Sequence, residues 1–380
     1  MPVSGQIDAT EAQQLARAFV GEREVRVEEI GDGNLNVVYR VAGPSRSVIV
    51  KQAPPYLRVV GDAWPLTQDR VRIESEALRL HGELATGRVP ELLHVDLGLA
   101  AMVLEDLSEH TVWRASLIEG VHVPGIAEQI GAYCARTLLG TSDLLMDSEK
   151  RKALSSSFVN PELCSITEEL VFTDPYLDAE SNNVEPAAAP LAAQLWADLP
   201  MRRAASRLLW EFRTRHEALI HGDLHTGSIM VAPGDARVID HEFAFFGPMG
   251  YDTGNVVANL AFSSIAHREQ GHVEFAGQVS GYAQEFWNAL VAEVRELWPR
   301  PEPWAEIFLG DLLRDTGRYA ATELVRRIVG LAHVADIDSL EDDLRLRAQR
   351  RCIAAARSVV LGPAPRTITD LWTRLTTEEN

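Results

Sequence analysis

Residues 221–252 read HGDLHTGSIMVAPGDARVIDHEFAFFGPMGYD and hold the side chains with the most evident chemistry in the chain. Asp223 stands in a short polar stretch, Asp240 and Glu242 form a D-x-E pair, and two brief apolar runs lie between them. Runs 229–231 and 237–239 read as strands, with APGDA at 232–236 as the turn that joins them. A hairpin returns the chain to its starting edge, so the Asp223 loop and the Asp240/Glu242 loop should face one cleft. One carboxylate to receive or orient an attacking hydroxyl, with others to hold metal ions on nucleotide phosphates, is what phosphoryl transfer needs. Acids in loops are common in a chain with 55 Asp and Glu, and either aspartate alone would be no more than that. Taken together and in this order, they favour the site.

Such a site needs a cation for the phosphates and elements to hold it. SVIVKQ (Ser47–Gln52) reads as a strand whose apolar run ends at Lys51, where a bare ammonium is costly. A lysine there calls for a carboxylate and a phosphate, unless it is an edge lysine reaching solvent. A helix is expected over 67–84, with Ile73, Ala77, Leu80 and Leu84 as its apolar stripe. Glu76 lies beside that stripe and is the expected partner of Lys51, with Glu74 second. Upstream, Asp8 or Thr10 can cap a helix to about Arg23, followed by strands over 25–30 and 37–41. The Gly31-Asp32-Gly33-Asn34 turn between those strands can lie over phosphates, although an ordinary hairpin turn has the same composition. Residues 54–65 (PPYLRVVGDAWP) form a long connector carrying Trp64, either a lid or an anchored loop. AMVL at 101–104 is a further strand, and the pattern from 121 onward is mostly helical.

Composition narrows the rest. With 380 residues the chain can build two lobes, and 46% hydrophobic with 24% charged residues is ordinary for a globular protein. No apolar run approaches the roughly 20 residues that span a bilayer, and residues 1–14 lack the pattern of a secretory signal. Cys134, Cys164 and Cys352 are few and widely spaced, which suggests buried, reduced thiols and a cytoplasmic location. The formal net charge of −19 disfavours nucleic acid and anionic membranes as partners. The densest basic segment, 345–357, has helical spacing and reads as a solvated face. His221 and His225 are spaced like a zinc pair, but they flank Gly222 in a loop and lack an H-E-x-x-H glutamate.

HGDLHTGSIM together with VIDHEFAFFGPMGYD resembles the aminoglycoside-phosphotransferase branch of the protein-kinase-like fold, and within it the methylthioribose kinases. The likeness extends to EIGDGNLNVVYRV (29–41), VIVKQAPPYLRVVGDAWPLTQDR (48–70), LEDLS (104–108), NPELCSITEELVFTDP (160–175) and ELVRRIVGLAHVADID (323–338), nearly the whole chain. It implies an α+β, two-lobed fold. Residues 1–107 would form a small antiparallel-sheet lobe. Residues 108–380 would form a larger, mainly helical lobe with the catalytic loop 221–228 and the metal-binding loop 240–242.

The resemblance implies ATP and Mg²⁺, and a thiosugar that receives a phosphoryl group at its anomeric 1-hydroxyl in methionine salvage. Asp223 would be the catalytic residue meeting the sugar, with Arg326 and Arg327 also on the substrate side. Asp240 and Glu242 would hold the metal. Asn36, Lys51, the hinge residues Glu105, Asp106 and Leu107, and the loop Asp240, His241 and Glu242 would contact ATP. A homodimer is expected on the same basis. Two positions depart from the wider pattern: Ser228 replaces a metal-binding Asn, as in the methylthioribose kinases, and His241 replaces a usual Pro. Ser228 should shift metal binding toward Asp240 and Glu242; His241 either perturbs the backbone between them or sits exposed. The rival readings are an aminoglycoside or other small-alcohol kinase of the same fold, and a non-catalytic nucleotide-binding scaffold. Paired arginines disfavour a cationic acceptor, and Lys51, Asp223, Asp240 and Glu242 together disfavour the scaffold.

Overall fold

The computed structural model describes residues 5–30, 35–57, 61–299 and 303–377. The 31–34 turn expected over the phosphates lies outside the described residues, as does the side chain of Trp64. The chain divides into two compact units, Met1–His110 with Arg237–Ala244, and Thr111–Ala236 with Phe245–Asn380.

In the first unit, helix Ala9–Val20 starts on a capping box. The Asp8 carboxylate accepts the Thr10 and Glu11 N–H groups at 2.8 and 2.9 Å, and the Glu11 carboxylate accepts the Asp8 N–H. The helix buries Ala12, Ala16 and Val20 against Val37, Val41, Val48 and Val50 of a five-stranded sheet. The strand order is Arg26–Glu29, Val37–Ala42, Ser47–Gln52, Ala101–Glu105 and Leu92–Asp96, with every neighbour antiparallel. The last strand has no clean alternation of burial, so period-2 reading passed over it. Because Val48 and Val50 face that helix, the strand's alternation sends Lys51 the other way, where helix Arg70–Leu84 supplies its partner. Part of the expected long connector is itself paired structure, with Tyr56–Leu57 antiparallel to Gly61–Pro65.

Segment Arg237–Ala244 joins this unit through backbone and side-chain bonds. The Val238 N–H donates to Arg88 O at 2.7 Å, and the Arg237 guanidinium bonds Val89 O and Glu105. The expected boundary at 107/108 put the 240–242 loop in the second lobe. The structure instead groups it with the first unit, since a hairpin strand can leave one unit and finish in another.

The second unit is mainly helical. Helix Met249–Glu269 is its axis and is buried along nearly its whole length. A helix buried on all sides belongs in the middle of a core, and its buried polar residues, Asp252 among them, take partners there. Gly250 and Gly254 let helix Trp304–Val329 approach. A Cβ at Gly250 would lie 2.7 Å from Asp315 Cβ, and one at Gly254 would lie 2.8 Å from the Ala320 N. Phe172, Phe212, Tyr251 and Tyr319 pack edge-on or tilted around the same axis. The expected hairpin is present, with slightly different bounds: Ile229–Ala232 lies between Asp235–Val238 and Thr111–Val112 in a three-stranded sheet. Cys134 and Cys352 are buried and Cys164 is partly so, all three unbridged, and burial raises each thiol's pKa. Among the described residues, no helix is long and apolar enough to cross a membrane.

Candidate active site

In the first unit, a buried charge cluster forms around Lys51. Its ammonium donates to Glu74 Oε1 at 2.7 Å and to Asp240 Oδ1 at 2.6 Å. Burial alone would lower its pKa, but Asp240, Glu74 and Glu242 outweigh that and raise it, so Lys51 stays charged. Asp240 adopts left-handed backbone, φ +66°, at the head of the short helical turn His241–Phe243. Glu242 is buried, accepts Asn36 Nδ2 at 2.8 Å on Oε1, and lies 3.2 Å from the Arg70 Nε on Oε2. Arg70 is itself fully buried and also donates to the Pro54 and Leu35 carbonyls, tying the acid to the strand edge. Burial pushes the Glu74 and Glu242 carboxyls up, against the pull of Lys51.

Three carboxylates thus face two cations, so the cluster accommodates added positive charge. Glu242 is closed in, while the Asp240 side chain is 48% exposed. Among the described residues no group of three or more His, Cys, Asp or Glu is arranged for a metal ion. Two hard carboxylates suit Mg²⁺, which completes its shell with water and phosphate oxygens, so the donor set fits that ion.

In the second unit the 221–228 loop hangs from the axial helix. Asp252, in the helix's first turn, accepts the His221 N–H at 2.6 Å and the Gly222 N–H at 3.0 Å. Gly222 takes φ +83°, which only glycine adopts without strain. The Asp223 N–H then donates to His221 Nδ1 at 3.2 Å. His225 Nδ1 accepts the Gly227 and Ser228 N–H groups, both at 3.1 Å. In return Ser228 Oγ accepts the His225 N–H at 3.0 Å and donates to Asp223 O at 2.8 Å. Each imidazole thus accepts from backbone amides of its own loop through Nδ1. Ser228 closes the turn on itself; a hydroxyl one bond from Cβ is well placed for that.

The Asp223 carboxylate is held from both sides. Arg326 Nη2 lies 3.2 Å from Oδ1, and His225 Nε2 lies 3.4 Å from Oδ2. Burial would raise its pKa, but His225, Arg326 and Arg327 overcome that and hold it well below the usual carboxylate range. Glu323 binds both arginines, bonding Arg326 Nε and accepting Arg327 Nε at 2.9 Å. Burial opposes its ionisation, yet the two guanidiniums bring its pKa down to about 2. The arginine pair thus bridges to Glu323 with both guanidiniums largely withdrawn from solvent. Arg114 stands nearby, donating to Asn259 Oδ1 at 2.7 Å and lying 3.4 Å from Asp336, whose carboxyl burial pushes up to about 6.

Residues 26–297, more than half the chain, match the model of the phosphotransferase enzyme family. The methylthioribose kinase of Yersinia pseudotuberculosis (serotype O:1b, strain IP 31758) is 42% identical over 371 residues, covering 93% of this chain and 91% of that protein. The methylthioribose kinase of Pectobacterium atrosepticum is 42% identical over 373 residues, covering 93% of each. The chain belongs to the methylthioribose kinase family. Choline kinase from Cryptosporidium parvum, only 9% identical, superposes with a TM-score of 0.50 over 97% of this chain and 93% of that one. That likeness is one of fold, the protein-kinase-like fold expected from the motifs.

Within this kinase, the structure gathers Asn36, Lys51, Asp240 and Glu242 in the first unit and Asp223, Arg326 and Arg327 in the second. Glu105 and Asp106 use their side chains structurally, on Arg237 and Arg40 respectively, and Leu107 O accepts the His110 N–H. His241 is buried, not exposed, and its ring packs 5.2 Å from that of His81. Any nucleotide contact there would have to come from its backbone.

Glu76 is not the partner of Lys51. It bonds Arg72 on the same helix at 3.2 Å and is partly exposed, while Glu74 occupies the inward line with Val71, Leu78 and His81. Leu80 and Leu84, which anchored the expected stripe, are only partly buried. Ile73 and Ala77 are buried as expected, but Arg70, Glu74, Ser75 and His81 are buried too, which moves the centre of the inward face by about a quarter of a turn; hydrophobic periodicity scores such polar residues as outward. Glu74→Gln should therefore lower kcat/KM for ATP about tenfold or more, as weakening a charge-assisted hydrogen bond by ~1.5–3 kcal/mol implies. Glu76→Gln should leave it within about twofold. Steady-state kinetics on the two variants checks the assignment. Asp252, Glu323, Arg114 and Arg70 were not identified as site residues from sequence. Asp252, at the end of the GPMGYD block, had a motif that could have flagged it.

Proposed function

We propose that this chain transfers the γ-phosphoryl group of ATP to the anomeric 1-hydroxyl of 5-methylthioribose, giving 5-methylthioribose 1-phosphate. The observation that carries the reading is the 42% identity to methylthioribose kinases across 93% of the chain. The held Asp223 carboxylate beside Arg326 suits an acceptor site on the second unit. The sugar oxygen attacks phosphorus, the bond to the ADP oxygen breaks with its electron pair, and the hydroxyl proton moves toward Asp223. An aspartate held so far below the usual range is a weak base. Its work is then orientation and partial proton acceptance, which suffices for a loose transition state.

Lys51 supplies a fixed positive charge to the nucleotide phosphates, and backbone groups of residues 105–107 take the adenine. Asp240 and Glu242 are the residues that would hold Mg²⁺, which neutralises phosphate charge when bound. Arg326 and Arg327, fixed by Glu323, direct donors toward sugar hydroxyls or the arriving phosphoryl group. They also disfavour an aminoglycoside, whose ammonium groups they repel. We place the activity in the methionine-salvage route, in the cytoplasm and in a homodimer, the last checked by light scattering.

The test is a substrate panel. With Mg·ATP, methylthioribose should yield ADP and a ³¹P signal of an anomeric phosphate, while kanamycin, choline and homoserine should not. Turnover of one of those three without turnover of methylthioribose would overturn the substrate assignment.

A further inference from the structure

We infer that His225 is a positioning residue for the transfer, a neutral imidazole that fixes the orientation of the Asp223 carboxylate while capping its own loop. The inference rests on the role proposed for Asp223. Its first support is the tautomer. Nδ1 faces two backbone donors, Gly227 N–H and Ser228 N–H at 3.1 Å each, so it must present a lone pair. The ring proton is then on Nε2, the atom that faces Asp223 Oδ2 at 3.4 Å. A doubly protonated ring would set a third donor against those two amides.

Surrounding charge agrees with that tautomer. Burial lowers the basicity of His225, Asp223 raises it, and Arg114 and Arg327 lower it again, leaving it below the ordinary histidine value. Of the remaining charged groups, Arg326 and Glu323 sit across the carboxylate, and Asp252 lies behind the loop backbone. With the imidazole neutral, its Nε2–H and the charges of Arg326 and Arg327 are what favour the ionised Asp223 carboxylate.

The second support is the division of labour on the carboxylate. Arg326 holds Oδ1 and His225 holds Oδ2. The terminal torsion of an aspartate is broad, and one contact leaves the group free to rotate about it. Two contacts on different oxygens set the plane in which a hydroxyl can be received. Room for the ring to swing away is small. A Cβ at Gly227 would lie 2.8 Å from Arg114 Nη1 and 2.9 Å from His225 Cε1, so the loop, the ring and Arg114 are closely stacked. Displacements of about 1 Å at such a group can cost roughly 10²-fold in rate.

Asparagine separates the two roles of the ring. The Oδ1 of Asn occupies the place of Nδ1 and is a good cap for the Gly227 and Ser228 amides, but nothing in it reaches Asp223. His225→Asn should therefore fold normally and keep its KM for ATP. Its kcat should fall about 10- to 100-fold, and the acid limb of its kcat–pH profile should move to higher pH as Asp223 loses a donor. His225→Gln, whose amide N–H reaches the position of Nε2, should recover part of kcat relative to His225→Ala.

Wild-type kcat and an unmoved acid limb in His225→Asn would overturn the inference. Should His225→Asn fail to fold, the other pair decides, and a Gln variant no faster than the Ala variant would overturn it. Failure of the underlying reading has a different signature, an Asp223→Asn enzyme that still turns over at the wild-type rate.

Discussion

Asp223→Asn should leave a folded kinase that binds ATP normally and transfers its phosphoryl group at least about 10²- to 10⁴-fold more slowly, the range for losing a positioned proton acceptor. The substitution preserves volume, so loss of packing does not enter. What it changes is charge and donor pattern. The carboxylate now accepts from Arg326 on one oxygen and from His225 on the other. An amide can satisfy one of these donors, but its NH₂ must face the other, and it cannot take the sugar proton in either orientation. Two buried guanidiniums also lose a countercharge, although Glu323 continues to hold both. Calorimetric titration with ATP should give an unchanged Kd, and rapid-quench measurement should place the loss in the chemical step. A weakened ATP affinity with intact turnover would show that Asp223 had been assigned to the wrong side of the reaction.

Asp240→Asn is expected to be comparably severe for a different reason. Asp240 is the more open of the two acids proposed to hold the metal and also a partner of the Lys51 ammonium, at 2.6 Å. Removing its charge weakens the hold on Mg²⁺ and leaves Lys51 paired chiefly with Glu74, drawn away from the phosphates. Loss of one preorganised electrostatic group of this kind costs roughly 10²- to 10³-fold in kcat. Because the defect passes through the metal, a Mg²⁺ titration should show half-maximal activity shifted to higher concentration, and saturating Mg²⁺ should recover part of the rate. A variant with the wild-type Mg²⁺ dependence would remove Asp240 from the metal site.

These two aspartates were legible in the sequence because each sits in a short, isolated motif between strands. Their supports were less so. Asp252 lies almost 30 residues beyond Asp223 and acts through its carboxylate on backbone amides, which leave no side-chain signature at the receiving end. Glu323 stands three and four residues before Arg326 and Arg327, a spacing that surface ion pairs share. Its burial follows from helix Trp304–Val329 packing on helix Met249–Glu269 at Gly250 and Gly254, which helical periodicity does not reveal. Ser228 was read for its absent amide, as a clue to metal binding; the structure shows its hydroxyl at work inside the turn.

The sequence by itself determined the strand containing Lys51, the hairpin between the two acidic loops and the kinase family. Local patterns suffice there, since alternation, turn composition and short motifs are written in neighbouring residues. Only the tertiary structure decided that Glu74 and not Glu76 meets Lys51, that the 240–242 loop belongs with the first unit, and that His225 and Arg326 share the Asp223 carboxylate. Each of those outcomes depends on which polar groups are buried together. Burial of a charge is set by what packs around it, and residues distant in sequence supply that packing.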